Sequence, residues 1–260
     1  LSGNSSLFEN QSQCPFRAFA RHRLRVEPLG AFSVAASAAD RGSLLHCALF
    51  ALCGEICDSN ALISLSDIQQ EQTIGRAVEA AMSTIPYNRR RQLGTAYWQL
   101  ERQRLTSLLT EWLAVERQRS AFSVVQREQD ITLELAQLRI KLRVDRIDQL
   151  PDGSRVIIDY KSGTCTVQAW LGDRPARPQL LLYGCADPDG AAALAFAQVQ
   201  PRNCRYVGLG RIAPASGIST DIARAAKSRM KAQDWPTLNE RWREALERLA
   251  TAFVAGEAHV

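Results

Sequence analysis

The chain has 260 residues, 46% of them hydrophobic, enough to bury a substantial core in one large domain or two small ones. Its formal charge is +5 and all but four of its 32 basic residues are arginine, whose planar fork suits phosphate, so a nucleic-acid partner is favoured. No apolar run reaches the roughly 18 residues of a membrane span and no signal peptide precedes the first element, so a soluble, cytoplasmic protein without a membrane partner is expected.

The seven cysteines are odd in number and scattered, which suits buried thiols in a reducing compartment better than a disulfide framework. Cys53 and Cys57 have a metal-like spacing, but no second pair follows to complete a zinc site. His22, His46 and His259 are far apart and form no metalloprotease motif. The chain starts at Leu1 and ends just after a helical segment, as a piece of a longer protein would.

In chain order, Gln13 to Arg25 carries Phe16 and Phe19 at helical spacing and is expected as a short helix, followed by a loop around Pro28 to Ser37. Arg41 to Cys53 reads as a helix with Leu45, Leu49 and Leu52 on one face; His46 lies beside that face, where a lone histidine is more often structural than a ligand. Asp67 to Met82 and Arg89 to Arg119 are helices separated by Ile85-Pro86-Tyr87. Strands are expected at Phe122 to Glu128, Ile131 to Leu135, Leu138 to Leu150 and Ser154 to Lys161. A helix follows at Arg177 to Ala186, with Gln179 and Tyr183 on one face, then strands at Ala193 to Gln200 and Arg205 to Arg211, and a closing helix at about Leu238 to Ala255. The order predicts an α/β fold with a mixed sheet flanked by helices.

The chemistry concentrates in Arg143-Val144-Asp145-Arg146-Ile147-Asp148 and Ile157-Ile158-Asp159-Tyr160-Lys161-Ser162-Gly163. Residues two apart on a strand share a face, so Asp159 and Lys161 project together. Pro151-Asp152-Gly153 is a tight turn that folds the preceding strand back and brings Asp145 beside Asp159. Two close carboxylates repel unless a cation lies between them, and hard oxygen donors select magnesium or manganese. The lysine then orients or deprotonates a water for attack on a phosphodiester. The competing reading makes Asp145-Arg146 and Asp159-Lys161 ordinary solvated ion pairs.

These residues resemble the PD-(D/E)XK nuclease superfamily, and within it the RecB/AddB-type nuclease domain, the C-terminal domain of a DNA repair exonuclease. The resemblance runs in order through Gln13-Cys14-Pro15-Phe16-Arg17, Gly42-Ser43-Leu44-Leu45-His46, Glu128, Asp145-Arg146-Ile147-Asp148, Asp159-Tyr160-Lys161-Ser162-Gly163 and Gln179-Leu180-Leu181-Leu182-Tyr183. It implies a restriction-endonuclease-like core in a single nuclease domain over 1–260, with a helical part at about 13–119, a catalytic sheet core at about 121–211 and the closing helix at about 238–255. Asp145 and Asp159 would hold Mg2+ or Mn2+, with the Tyr160 carbonyl and His46 as further ligands, and Lys161 would position the water. Gln179 and Tyr183 would hold DNA or the lysine. Glu128 would stand near the metal, a sheet-edge salt bridge being the alternative, and Asp148 would be secondary. Val144 replaces the proline of the superfamily's name and Leu142 a common glycine; neither removes a ligand.

Cys14 resembles the first of four ligands to a 4Fe-4S cluster whose other three lie beyond the last helix, so the resemblance places that cluster in the longer parent alone. The implied activity is a metal-dependent DNA exonuclease acting in double-strand break repair with a helicase, since no phosphate-binding loop for ATP is present. A catalytically silent DNA-binding scaffold and a structure-specific endonuclease are the alternatives.

Overall fold

A computed structural model describes residues 1–27, 37–187 and 190–259. The chain opens with a three-residue strand, β1 (Ser2–Asn4), and helices α1 (Ser5–Gln13) and α2 (Pro15–Ala18), the latter running into a π-helical turn at Phe19–Arg23. The short helix expected over Gln13 to Arg25 is α2 with its π-helical continuation, Pro15 to Arg23; α1 precedes it unannounced by the sequence, and the two are parted at Cys14, whose backbone is extended (φ −159°) ahead of Pro15. The loop expected at Pro28 to Ser37 falls, up to residue 36, outside the described residues.

Helix α3 (Ala38–Glu55) begins at a reciprocal capping box between Ser37 and Asp40, and α5 (Asp67–Ser83) at another between Ser66 and Gln69, with the short α4 (Ser59–Ser64) between them. Helix α6 (Tyr87–Glu116) is interrupted at Gly94, where φ is +75°. The strands are β2 (Ser123–Leu135), β3 (Leu138–Gln149), β4 (Arg155–Lys161), β5 (Ala193–Gln198), β6 (Arg205–Gly210) and β7 (Ile218–Ser219). Helix α7 (Gln179–Ala186) precedes β5; α8 (Ile222–Met230) and α9 (Trp235–Ala255) close the chain. The two strands expected between Phe122 and Leu135 are one: β2 pairs with β3 from Ser123 to Leu135, and the polar Gln129-Asp130 stretch stays in the ladder.

All seven strands form one mixed sheet in the order β1-β3-β4-β5-β6-β7, with β2 antiparallel on β3. The β3–β4 turn is built as the sequence requires: Gly153 takes φ +82°, and the Asp152 carboxylate accepts from the Ser154 amide at 2.9 Å. Helices cover both faces. Leu194 and Phe196 of β5 pack with Trp170, Leu180 and Trp242 on one face, while Ala193, Ala195 and Ala197 face Leu45, Leu49 and Trp112 of α3 and α6 on the other. Alternation thus places large residues on one side of β5 and small ones on the other.

Strand β3 changes neighbours midway. Its first half pairs with β1 through Arg139–Lys141, its second half with β4 from Arg146 onward. Between them the phase of burial slips: Val144 and Ile147, three positions apart, lie in the same core. Opposite the slip, Glu128 adopts φ +45°, outside extended geometry. β3 parts from β1 and has not yet joined β4 at the position of Asp145, and this fork holds the polar groups.

Candidate active site

The fork would leave backbone groups of β3 without partners, and α7 supplies one. The Tyr183 hydroxyl donates to the Arg143 carbonyl at 2.5 Å, Gln179 Nε2 donates to Tyr183 Oη at 2.5 Å, and Lys161 Nζ donates to Gln179 Oε1 at 2.9 Å. The Gln179/Tyr183 spacing is what lets one helical face bridge the β3 backbone and the β4 lysine. Tyr183 is buried, which pushes its pKa up and keeps the phenol a donor.

Asp159 is fully buried, and Lys161 Nζ lies 2.6 Å from its Oδ2. Apart from that ion pair, neither Asp159 oxygen accepts a hydrogen bond. Asp145, nearly as buried, accepts from the Tyr160 amide at 2.8 Å and lies 3.4 Å from His46 Nδ1. Residues of a strand direct N–H and C=O to the same edge, so the Tyr160 carbonyl also faces this fork. Burial, then the charge of Asp159, pushes the Asp145 carboxyl up to about 8. Burial lowers the pKa of His46, favouring the neutral imidazole that ligates metals.

One donor atom each of His46, Glu128 and Asp145 lie within 4.8 Å of one another, the one such metal-competent group among the described residues. Asp159 stands outside that group, beside Asp145 but drawn to Lys161. The donors fit a divalent cation: three carboxylates face one ammonium and a neutral imidazole, and a buried carboxylate without a hydrogen bond is costly unless a cation offsets it. Glu128 also approaches Arg143 at 3.9 Å, so the sheet-edge pair and the metal-side placement coexist.

The solvated ion pairs weighed for Asp145-Arg146 and Asp159-Lys161 are absent in that form. Arg146 points to the opposite face, only 2% exposed, and donates to Asp148 at 2.6 and 2.9 Å, to Glu116 at 3.0 Å and to the Tyr160 hydroxyl at 3.1 Å. Arg119 reaches Asp148 at 2.8 Å, and the Tyr206 hydroxyl donates to Glu116. Burial pushes the Glu116 carboxyl up, but Arg146 and Arg119 outweigh it and hold the pKa below the ordinary value. Asp148, treated as secondary to the metal, is a full member of this buried network. Glu116 and Arg119 gave no sequence signal beyond lying at the end of a long helix.

Cys14 is half-buried at the α1–α2 break and belongs to no metal-donor group among the described residues. Cys53 is buried against the Tyr160 hydroxyl at 3.3 Å while Cys57 is exposed, so the Cys53/Cys57 spacing builds no zinc site. No helix of the described residues is long and apolar enough to cross a membrane.

A mixed α/β sheet whose strands part around buried carboxylates and a tethered lysine is the core of a restriction-endonuclease-like nuclease. A family model of the PD-(D/E)XK nuclease superfamily matches residues 5–260, and the chain belongs to that superfamily. No curated protein matches the chain. Nucleases of this superfamily use divalent metals, in keeping with the donor set at the fork.

Proposed function

We propose that the chain is a metal-dependent deoxyribonuclease of exonuclease type, working with a helicase in double-strand break repair. The observation that carries the catalytic reading is the chain of contacts Arg143–Tyr183–Gln179–Lys161 ending beside an Asp159 carboxylate without hydrogen bonds. In this reading Asp145, Asp159, Glu128, His46 and the Tyr160 carbonyl hold Mg2+ or Mn2+. When bound, the cation supplies Lewis-acid polarisation of the scissile phosphate and charge stabilisation at the leaving oxygen. Lys161 orients the attacking water, and Gln179 and Tyr183 fix the ammonium so that it meets that water in one position. Tyr160 holds Asp145 through its amide, restricting the carboxylate to one rotamer.

The exonuclease type, the helicase partner and a role for Cys14 in an iron–sulfur cluster completed outside this chain rest on the resemblance to RecB/AddB-type domains. In support of the last, the amide of Phe16, two residues after Cys14, bonds the carbonyl of His259 at 3.3 Å, so the α2 segment lies against the residues following α9.

The test is degradation of linear and closed circular DNA with magnesium or manganese, beside an Asp159→Ala/Lys161→Ala variant. Metal-dependent loss of linear DNA alone, abolished in the variant, is the expected result. Cutting of closed circles would replace the exonuclease with the endonuclease, and salt-dependent binding without cutting would make the chain a silent clamp.

A further inference from the structure

A cavity of about 860 Å3 opens between α3, α5 and the β2–β3 ribbon, and the catalytic reading uses only the metal donors on its wall. His46, Glu128 and Asp145 line it, so it is continuous with the metal donors. Much of the remaining lining is apolar, including Ala39, Cys47, Phe50, Ala51 and Ala80. Its one guanidinium among the described lining residues, Arg143, is engaged by Asp130 at 2.8 and 3.2 Å. A groove that follows a phosphate backbone needs cations along it. This cavity offers a largely apolar wall instead.

Phe50 carries the phenyl ring among the described lining residues, and it is 43% exposed. Its ring is held rather than free: the Arg127 guanidinium lies 4.9 Å from the ring centroid, and Arg127 Nη1 donates to the Phe50 carbonyl at 2.9 Å. Gly54 makes room for this arrangement, since a Cβ there would sit 2.6 Å from Arg127 Nη1. A fixed aromatic plate backed by a guanidinium is what a nucleobase stacks on.

We infer that the cavity between α3 and α5 is a base subsite, in which the nucleotide adjoining the scissile phosphodiester is held unpaired with its base against Phe50. The inference rests on the nuclease reading of the same fork and deepens it. A base between two helices has left its stack and its partner, so the strand at the metal donors is single. The chain therefore acts on unpaired strands and on ends that fray, and resists duplex ends that cannot open.

The test walks a single abasic nucleotide along a single-stranded DNA oligonucleotide and reads the KM for each cleavage. The abasic position that adjoins the cut phosphate raises KM roughly 5- to 150-fold in the wild-type protein, the range of one base–aromatic stack. In Phe50→Ala the same abasic substitution costs little, because the stack is already gone. Equal abasic penalties in the two proteins, or none in the wild type, would overturn the subsite.

A second measurement stands apart from catalysis: the fluorescence of 2-aminopurine in a single-stranded oligonucleotide bound with calcium in place of magnesium. A rise on binding to the wild type, as the base leaves its neighbours, that Phe50→Ala diminishes supports the base subsite even if no strand is cut, in which case the nuclease reading alone fails. Bound oligonucleotide of unchanged fluorescence, or no binding at all, would overturn the subsite whatever the cleavage result. An end-crosslinked duplex cut as fast as the single strand would also overturn it.

Discussion

Asp145 and Arg146 are neighbours in sequence, yet they belong to charge clusters of opposite character on either side of β3. On the α6 side, Arg146 and Arg119 face Asp148 and Glu116, so charge balances, and both carboxylates are bound by guanidinium groups. On the α7 side, Asp145, Asp159 and Glu128 outnumber Lys161, and Asp159 accepts no hydrogen bond. The first cluster is closed: it joins β3 to α6 and, through the Tyr160 hydroxyl and Cys53, to β4 and α3. The second is open, with more carboxylates than cationic partners where a metal ion fits. Burial alone therefore does not mark a functional site; burial with unfilled bonding capacity does.

Substitutions separate the two clusters. Lys161→Ala has the largest expected effect, a fall in kcat of about 10²–10⁴-fold, the range of a positioned proton-transfer group, measured on linear DNA at saturating metal. Arg146→Met on the closed side costs about 3–5 kcal/mol of stability by urea denaturation, because two buried carboxylates, Asp148 and Glu116, are then left with Arg119 alone. A loss of activity in Arg146→Met with unchanged stability would break the distinction. Gln179→Ala follows, with kcat down about 10–100-fold and little change in KM, since it supports the lysine without touching the strand.

The smallest effect is on pH dependence. Asp145, raised from 3.8 to about 8, holds its proton more tightly folded than unfolded. Its contribution to stability is thus full below about pH 4 and is lost as pH rises to about 8. In EDTA the wild type should melt at falling temperature across that window, by about 2–4 °C for each kcal/mol lost, and Asp145→Asn should flatten the slope. Magnesium at pH 8 should restore the melting temperature. A flat wild-type profile in EDTA would mean that the open cluster is not strained.

The hairpin carrying Asp145, Asp159 and Lys161 was legible because alternation and a Pro-Asp-Gly turn are local signals. So were α3, α5 and α9, from their apolar spacing, and the meeting of Gln179 with Tyr183, from the i,i+4 rule. The β1–β3 pairing was not, since three residues pairing in parallel with a distant strand carry no periodicity of their own. The long β2 looked like two strands because the apolar alternation of Ile131, Leu133 and Leu135 begins only after the exposed polar pair Gln129-Asp130, where the phase of burial shifts. Short α4 spans too few residues to show a period, and α8 keeps only the narrow stripe Ile222, Ala226 and Met230 against the core. The closed network was hidden because Arg146 finds Glu116 thirty residues away, on a partner selected by tertiary packing. The fork itself was out of reach, since a strand that changes neighbours midway depends on the whole sheet.

The most direct test of the open cluster is hydrolysis of linear DNA by the wild type and by Asp159→Asn across a magnesium or manganese titration, with folding of both proteins followed by circular dichroism. The account predicts cutting that requires the metal and disappears in the folded Asp159→Asn protein. Cutting without metal, or undiminished cutting by that variant, would contradict it.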